Sequence, residues 1–214
     1  MGGRGASSGG EGWLGGGGGV SINPLDITSL VSAREGKQTE VDETLQVFKD
    51  MNEEYGYVAD DLQLATLTGA DNMALAYYDG SNIAFNQSYF DKAKMEAVYA
   101  RCVQEGFHPS RGNKTALQAV ASHEIGHALT DQVIAKMGNK LGKQDGAEAI
   151  LKEAQKQVGN RGKLAKMASK ISGYAKESAR ECIAEAFADV YCNGGRAKKE
   201  SQSIVDVMNK YLKS

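Results

Sequence analysis

From Thr39 to Tyr55 the apolar residues Val41, Leu45, Phe48, Met51 and Tyr55 recur at three- and four-residue steps, the period of a helix that lays one stripe on a core. The stripe predicts a helix that stops at Gly56. The pattern then changes: ALAYYDG and SNIAFNQSYF read as two strands, and Asp79-Gly80 between them suits a tight hairpin because glycine tolerates positive φ. This hairpin is the only sheet that the local pattern predicts.

Helical spacing returns at Asp91 and runs through Met95, Val98 and Cys102 towards Gly106 and Pro109. A longer helix is expected over roughly Lys114 to Met137. Residues 138–163 hold Gly138, Gly142, Gly146, Gly159 and Gly162 among many lysines, and read as an exposed insertion around a short helix at Ala147–Val158. Two more helices are expected, near Ala175–Cys192 and Ala197–Leu212, the last with Ile204, Met208 and Tyr211 on one stripe. No internal repeat is visible. The chain is therefore expected to be α+β, mostly helical with a small antiparallel sheet.

Composition bounds the organisation. The chain has 214 residues, 41% of them hydrophobic and 24% charged, which fits one globular domain. Residues 1–20 carry 11 of the 26 glycines and offer little beyond Trp13 and Leu14 to bury, so they read as a flexible tail. The expected division is a glycine-rich tail over 1–35 and a single domain over 36–214.

The formal net charge is -2, which supplies no global attraction for nucleic acid or an anionic membrane. No run approaches the ~18 apolar residues of a membrane span, and the first twenty residues lack the apolar stretch of a signal peptide. Cys102, Cys182 and Cys192 are odd in number and have no CxxC spacing, so neither a disulfide framework nor a thiolate metal site is expected. These features predict a cytoplasmic protein with no nucleic-acid or membrane partner.

The chemistry concentrates in ASHEIGHALT, residues 121–130. Only three histidines occur in the chain, and His123 and His127 stand four apart with Glu124 directly after the first. On a helix, residues at that spacing lie only ~40° apart around the axis, so both imidazoles project from one face and can hold one cation. In an HExxH site the glutamate is not a ligand. It takes a proton from a water that the metal has acidified. With this composition a chance HExxH has odds on the order of one in several hundred. Gly126 inside the same helix costs ~1 kcal/mol relative to alanine, and close approach of another backbone behind the metal would give it a reason.

A catalytic zinc takes three protein ligands and leaves a position for water, so a third ligand is sought downstream. GYAKESARECIAEAFADVY places Glu181, Glu185 and Asp189 at successive steps of four, an acidic stripe opposite Ile183, Phe187 and Val190.

HEIGH together with Tyr174, Ala175, Glu181, Ala184, Glu185, Ala186 and Phe187 resembles the pattern of the gluzincin zinc endopeptidases that include the anthrax lethal factor catalytic domain. The resemblance implies a zincin-like metallopeptidase domain acting on a protein or peptide substrate. It also implies Zn²⁺ held by His123, His127 and Glu181, with Glu124 as general base and Tyr174 polarising the scissile carbonyl. Glu185 would then stand behind the ligands, holding an imidazole. A second register remains open, because Glu185 with Asp189 also satisfies the E-x-x-x-D spacing of the group. The opening MGGRGASSG resembles the starts of small proteins from head regions of phages and prophages of Gram-positive bacteria, an association that would make the protein virion-associated. A non-catalytic phage structural protein with a structural zinc is the competing expectation. In peptidases of this shape the substrate lies along the edge of a small sheet above the motif helix, and the hairpin from Tyr77 to Phe85 is the candidate edge.

Overall fold

The computed structural model describes residues 6–7, 21–22, 28–56, 58–68, 73–138, 142–159 and 162–214. Its helices are α1 (Gln38–Tyr55), α2 (Lys92–Gln104), α3 (Ala116–Lys136), α4 (Lys143–Gln157), α5 (Leu164–Ile171), α6 (Ala179–Asn193) and α7 (Lys199–Leu212). Helix α3 is the axis of the fold. It is buried on nearly every side, and α6, α1, α7, α2 and the sheet all pack against it. Its start is set by a capping box, in which Thr115 Oγ1 accepts from Gln118 N while the Gln118 side chain accepts from Thr115 N. The Val41, Phe48 and Met51 stripe of α1 is buried as the periodicity predicts, and the helix stops at Gly56, whose φ is 81°.

The strands are β1 (Ala6–Ser7), β2 (Ser21–Ile22), β3 (Thr28–Ser29), β4 (Leu62–Ala65), β5 (Leu67–Thr68), β6 (Ala76–Tyr78) and β7 (Ile83–Asn86). The expected hairpin is β6–β7, closed by a turn in which Asp79 Oδ1 accepts from Ser81 N and Asn82 N and Gly80 adopts φ of 110°. The hairpin does not stand alone. A mixed sheet runs β6-β7-β4-β3, with β7 parallel to β4 and β4 antiparallel to β3, and two-residue β1 adds parallel to the outer edge of β6. A separate short pair joins β2 to β5. The chain is thus α+β and mostly helical, with a mixed sheet where only an antiparallel hairpin was expected. The strand that pairs with β7 lies across a long connection, and a local pattern carries no sign of it.

Residues 143–157 also differ from expectation. They form a helix whose Ala147, Ile150, Leu151 and Ala154 are fully buried against α7 and α6, so this stretch is core and not an exposed insertion. Its lysines cover the outer face of an amphipathic helix. Helix α6 starts at Ala179, later than the periodicity predicts, because extended Ser178 caps it by accepting from Glu181 N. Packing also reaches ahead of residue 36, since Leu30 is completely buried and β3 pairs with β4. Apart from Ala6–Ser7, the first twenty residues lie outside the described residues.

Candidate metal centre

The site lies where α3 crosses α6. At that crossing Gly126 faces the backbone of Ala184, and a Cβ there would stand 3.0 Å from Ala184 Cα and 3.1 Å from Phe187 Cβ. Glycine lets the two helices approach closely, which is the packing reason that its helical cost called for. The approach brings the start of α6, with Glu181, over the His123 and His127 face of α3.

Glu181 Oε2 lies 3.1 Å from His123 Nε2 and 3.4 Å from His127 Nε2. One ligand atom from each of these three buried residues falls within 4.8 Å of the others, a group that can hold a metal ion. Both ring nitrogens of each histidine and both oxygens of Glu124 and Glu181 are buried without an aligned hydrogen bond. Most buried polar atoms in folded proteins are paired, and a cluster of nitrogen and carboxylate atoms that approach without aligning is what a shared cation would satisfy. The three described residues therefore fit a metal.

Glu185, four residues on, has different partners. Its Oε2 accepts from Ser172 Oγ at 2.7 Å, its Oε1 bonds His108 Nδ1 at 2.9 Å, and the same Oε1 stands 2.9 Å from His123 Nδ1. Asp189 is spent elsewhere, accepting from Asn193 Nδ2 at 2.9 Å and from Lys198 N at 3.0 Å. The three acids of the sequence stripe thus meet three different environments.

The electrostatics follow from the packing. Burial alone would raise the Glu181 carboxyl, but His127 and His123 beside it hold it well below the ordinary glutamate range. Burial acts the same way on Glu185, and His108 and His123 outweigh it, leaving the group at about 2. His123 is moved the other way: burial opposes its charge, yet Glu181 and Glu185 raise it well above the usual imidazole range. Burial pushes Glu124 up to about 8, with His123 opposing and Glu181 and Glu185 adding. Burial, then Glu181, Glu124 and Glu185, raise the Tyr174 hydroxyl well above its ordinary value, so it keeps its proton.

Tyr174 comes from a single 3-10 turn, Tyr174–Lys176, pinned by two backbone bonds: Gly173 N to Gly106 O and Tyr174 N to Phe107 O. Its ring stacks on His123 with centroids 5.8 Å apart. On the sheet side, β6 packs against α3, so the hairpin borders the motif helix. The outer edge of β6 is paired with Ala6 and Ser7. A cavity of about 10 Å³, roughly one water sphere, lies beside Glu124 and is lined also by His108, His123 and Glu185.

The sequence reading named His123, Glu124, His127, Tyr174, Glu181 and Glu185, and the fold gathers all of them. It missed His108 and Ser172. The only available signal for His108 was that it is the one remaining histidine in the chain. No helix among the described residues is long and apolar enough to cross a membrane. In comparisons with known proteins, no family model, curated protein or solved structure matches the chain.

Proposed function

We propose that the chain is a zinc-dependent endopeptidase of the gluzincin type, with a zincin-like domain acting on protein or peptide substrates. Two imidazole nitrogens and a carboxylate oxygen form a donor set that suits zinc. His123, His127 and Glu181 would hold the ion, and their ligand atoms all lie within 4.8 Å of one another. Within that set Glu181 Oε2 stands 3.1 and 3.4 Å from the two Nε2 atoms, so one cation could be shared among them. Bound there, zinc supplies Lewis acidity, lowering the pKa of a water and polarising a carbonyl.

The chain's own residues do the rest. Glu124, on the motif helix beside the ligand face, accepts a proton from the attacking water and passes it to the leaving amine. Burial of its carboxylate to 1% exposure, with no partner on either oxygen, supports this reading most directly. A structural metal site has no use for such a group. Tyr174, protonated and stacked on His123, donates its hydrogen to the carbonyl oxygen as charge develops there. An extended substrate strand along β6 would displace the Ala6–Ser7 pairing from that edge.

Glu124→Gln tests the proposal. The substitution keeps volume, so zinc content and melting temperature stay near wild type, while cleavage of a peptide library falls by ~10² to 10⁴-fold. A zinc-loaded wild type that cleaves neither itself nor any library member favours a structural zinc. Cleavage that persists unchanged in the Gln variant overturns the mechanism.

A further inference from the structure

His108 lies on the turn between α2 and α3, where Phe107 N and His108 N both bond Cys102 O at 2.7 and 3.3 Å and fold the chain back onto the end of α2. Its ring is clamped flat against Tyr99, with centroids 5.4 Å apart and planes within 3°, and it meets His123 edge-on at 6.4 Å. The Tyr99 hydroxyl in turn donates to Pro109 O at 3.1 Å, so the stacking partner is itself held. The ring therefore has a fixed direction, and that direction points Nδ1 at Glu185 Oε1, 2.9 Å away.

Glu185 is gripped from two unconnected segments, by His108 on Oε1 and by Ser172 on Oε2. Ser172 is itself oriented, accepting from Ala175 N at 2.9 Å. A carboxylate held at both oxygens cannot rotate, and an ionised carboxylate only accepts. Oε1 also stands 2.9 Å from His123 Nδ1, so with a metal on Nε2 this carboxylate is the acceptor nearest the Nδ1 hydrogen.

We propose that His108 is a positioning residue of the metal centre: by donating to Glu185 Oε1 it fixes the carboxylate that sets the tautomer and direction of His123. The inference rests on the metal-binding reading of His123, His127 and Glu181. A buried histidine that merely fills space beside Tyr99 would affect folding alone. A positioning histidine also affects the ligand field.

Three variants of the full chain separate these roles. His108→Phe keeps the ring volume and the stack on Tyr99 but removes the donor. His108→Asn retains an N–H at the place of Nδ1, and His108→Gln moves it one bond further out. Zinc affinity is read by competition with a chromophoric chelator, and the ligand field by the visible spectrum of the cobalt(II)-loaded protein. The expected result is a ~10- to 100-fold loss of zinc affinity and an altered cobalt spectrum for Phe and Gln. The Asn variant recovers most of both. Folded Phe protein with wild-type affinity and spectrum overturns the proposal. Should the Phe variant fail to fold, equal affinities of the Asn and Gln variants overturn it just as well. Wild-type chain that takes up neither metal overturns the metal centre itself, and this inference with it. Normal wild-type uptake with indifferent His108 variants removes this inference alone.

Discussion

Gly126 of α3 and Ala184 of α6 touch so closely that an added Cβ would lie 3.0 Å from Ala184 Cα, a few tenths of an ångström tighter than ordinary contact. Because that neighbour is backbone, it gives way only if the helix moves. The gain of ~1 kcal/mol in helix propensity for Gly126→Ala is then outweighed by an overpacking cost of ~1–3 kcal/mol. Gly126→Ala should lower stability by about 1 kcal/mol in urea unfolding. It should also weaken zinc binding, because shifting α6 carries Glu181 away from His123 and His127. A variant as stable as wild type with undiminished affinity would refute the close-crossing account.

The acids of α6 should separate in a metal titration. Glu181→Ala removes one of three ligands and should abolish tight zinc binding, whereas Glu185→Ala, which loses only the group behind His123, should cost ~10 to 100-fold. Asp189→Ala should leave zinc affinity unchanged and cost about 1 kcal/mol of stability through its lost bonds to Lys198 N and Asn193. Isothermal titration with zinc checks all three. Retained affinity in the Glu181 variant with loss in the Glu185 variant would establish the other register.

Tyr174→Phe keeps the ring that stacks on His123 and removes only the hydroxyl. Under the proposed mechanism kcat should fall by ~10² to 10³-fold, the worth of one donor to an oxyanion, with KM and zinc content nearly unchanged. Steady-state kinetics with metal analysis on the same sample decides it.

Metal removal should destabilise the whole domain, since α3 and α6 carry the ligands and each packs through the core. At zinc a hundredfold above Kd the stabilisation is ~2.7 kcal/mol. The melting temperature should fall on chelation and return on adding zinc. An unchanged melting temperature across that cycle would mean that the folded chain does not bind the metal.

A pH effect is expected away from the centre, where Lys210 of α7 reaches Glu153 of α4 at 2.8 Å. The hydrogen bond from Lys210 outweighs partial burial, and with help from Tyr211 it holds Glu153 below its ordinary value. A depressed carboxyl contributes stability above its unfolded pKa and loses it as pH falls through the folded one. Lys210→Met should therefore be less stable than wild type at neutral pH, and the gap should narrow on acidification. Urea midpoints measured across the acid range check the sign.

Much of the site was legible because its signals are local. The four-residue step of His123 and His127 puts both on one helical face whatever surrounds the helix. The Asp79-Gly80 turn declared itself in the same way. The lysines of residues 138–163 misled, because charge on the outer face of α4 masks a buried stripe of small and branched residues.

The sequence by itself determined the elements that depend on backbone geometry over a few residues: the helical stripes, the hairpin turn and the paired imidazoles with Glu124 between them. Helical spacing alone left Glu181 and Glu185 as acids one turn apart; the resemblance named Glu181 as the ligand with a second register open, and the tertiary structure gives the two acids different neighbours. The α3–α6 crossing at Gly126 and Ala184 brings Glu181 to the two Nε2 atoms, while Ser172 and His108 reach Glu185. His108 and Glu185 are 77 residues apart in the chain, and β4 and β7 pair across an intervening stretch that holds two other strands. Such contacts exist only after the elements pack, because which atoms meet across a crossing depends on the angle and closeness of two helices, and no residue carries that information in its neighbours.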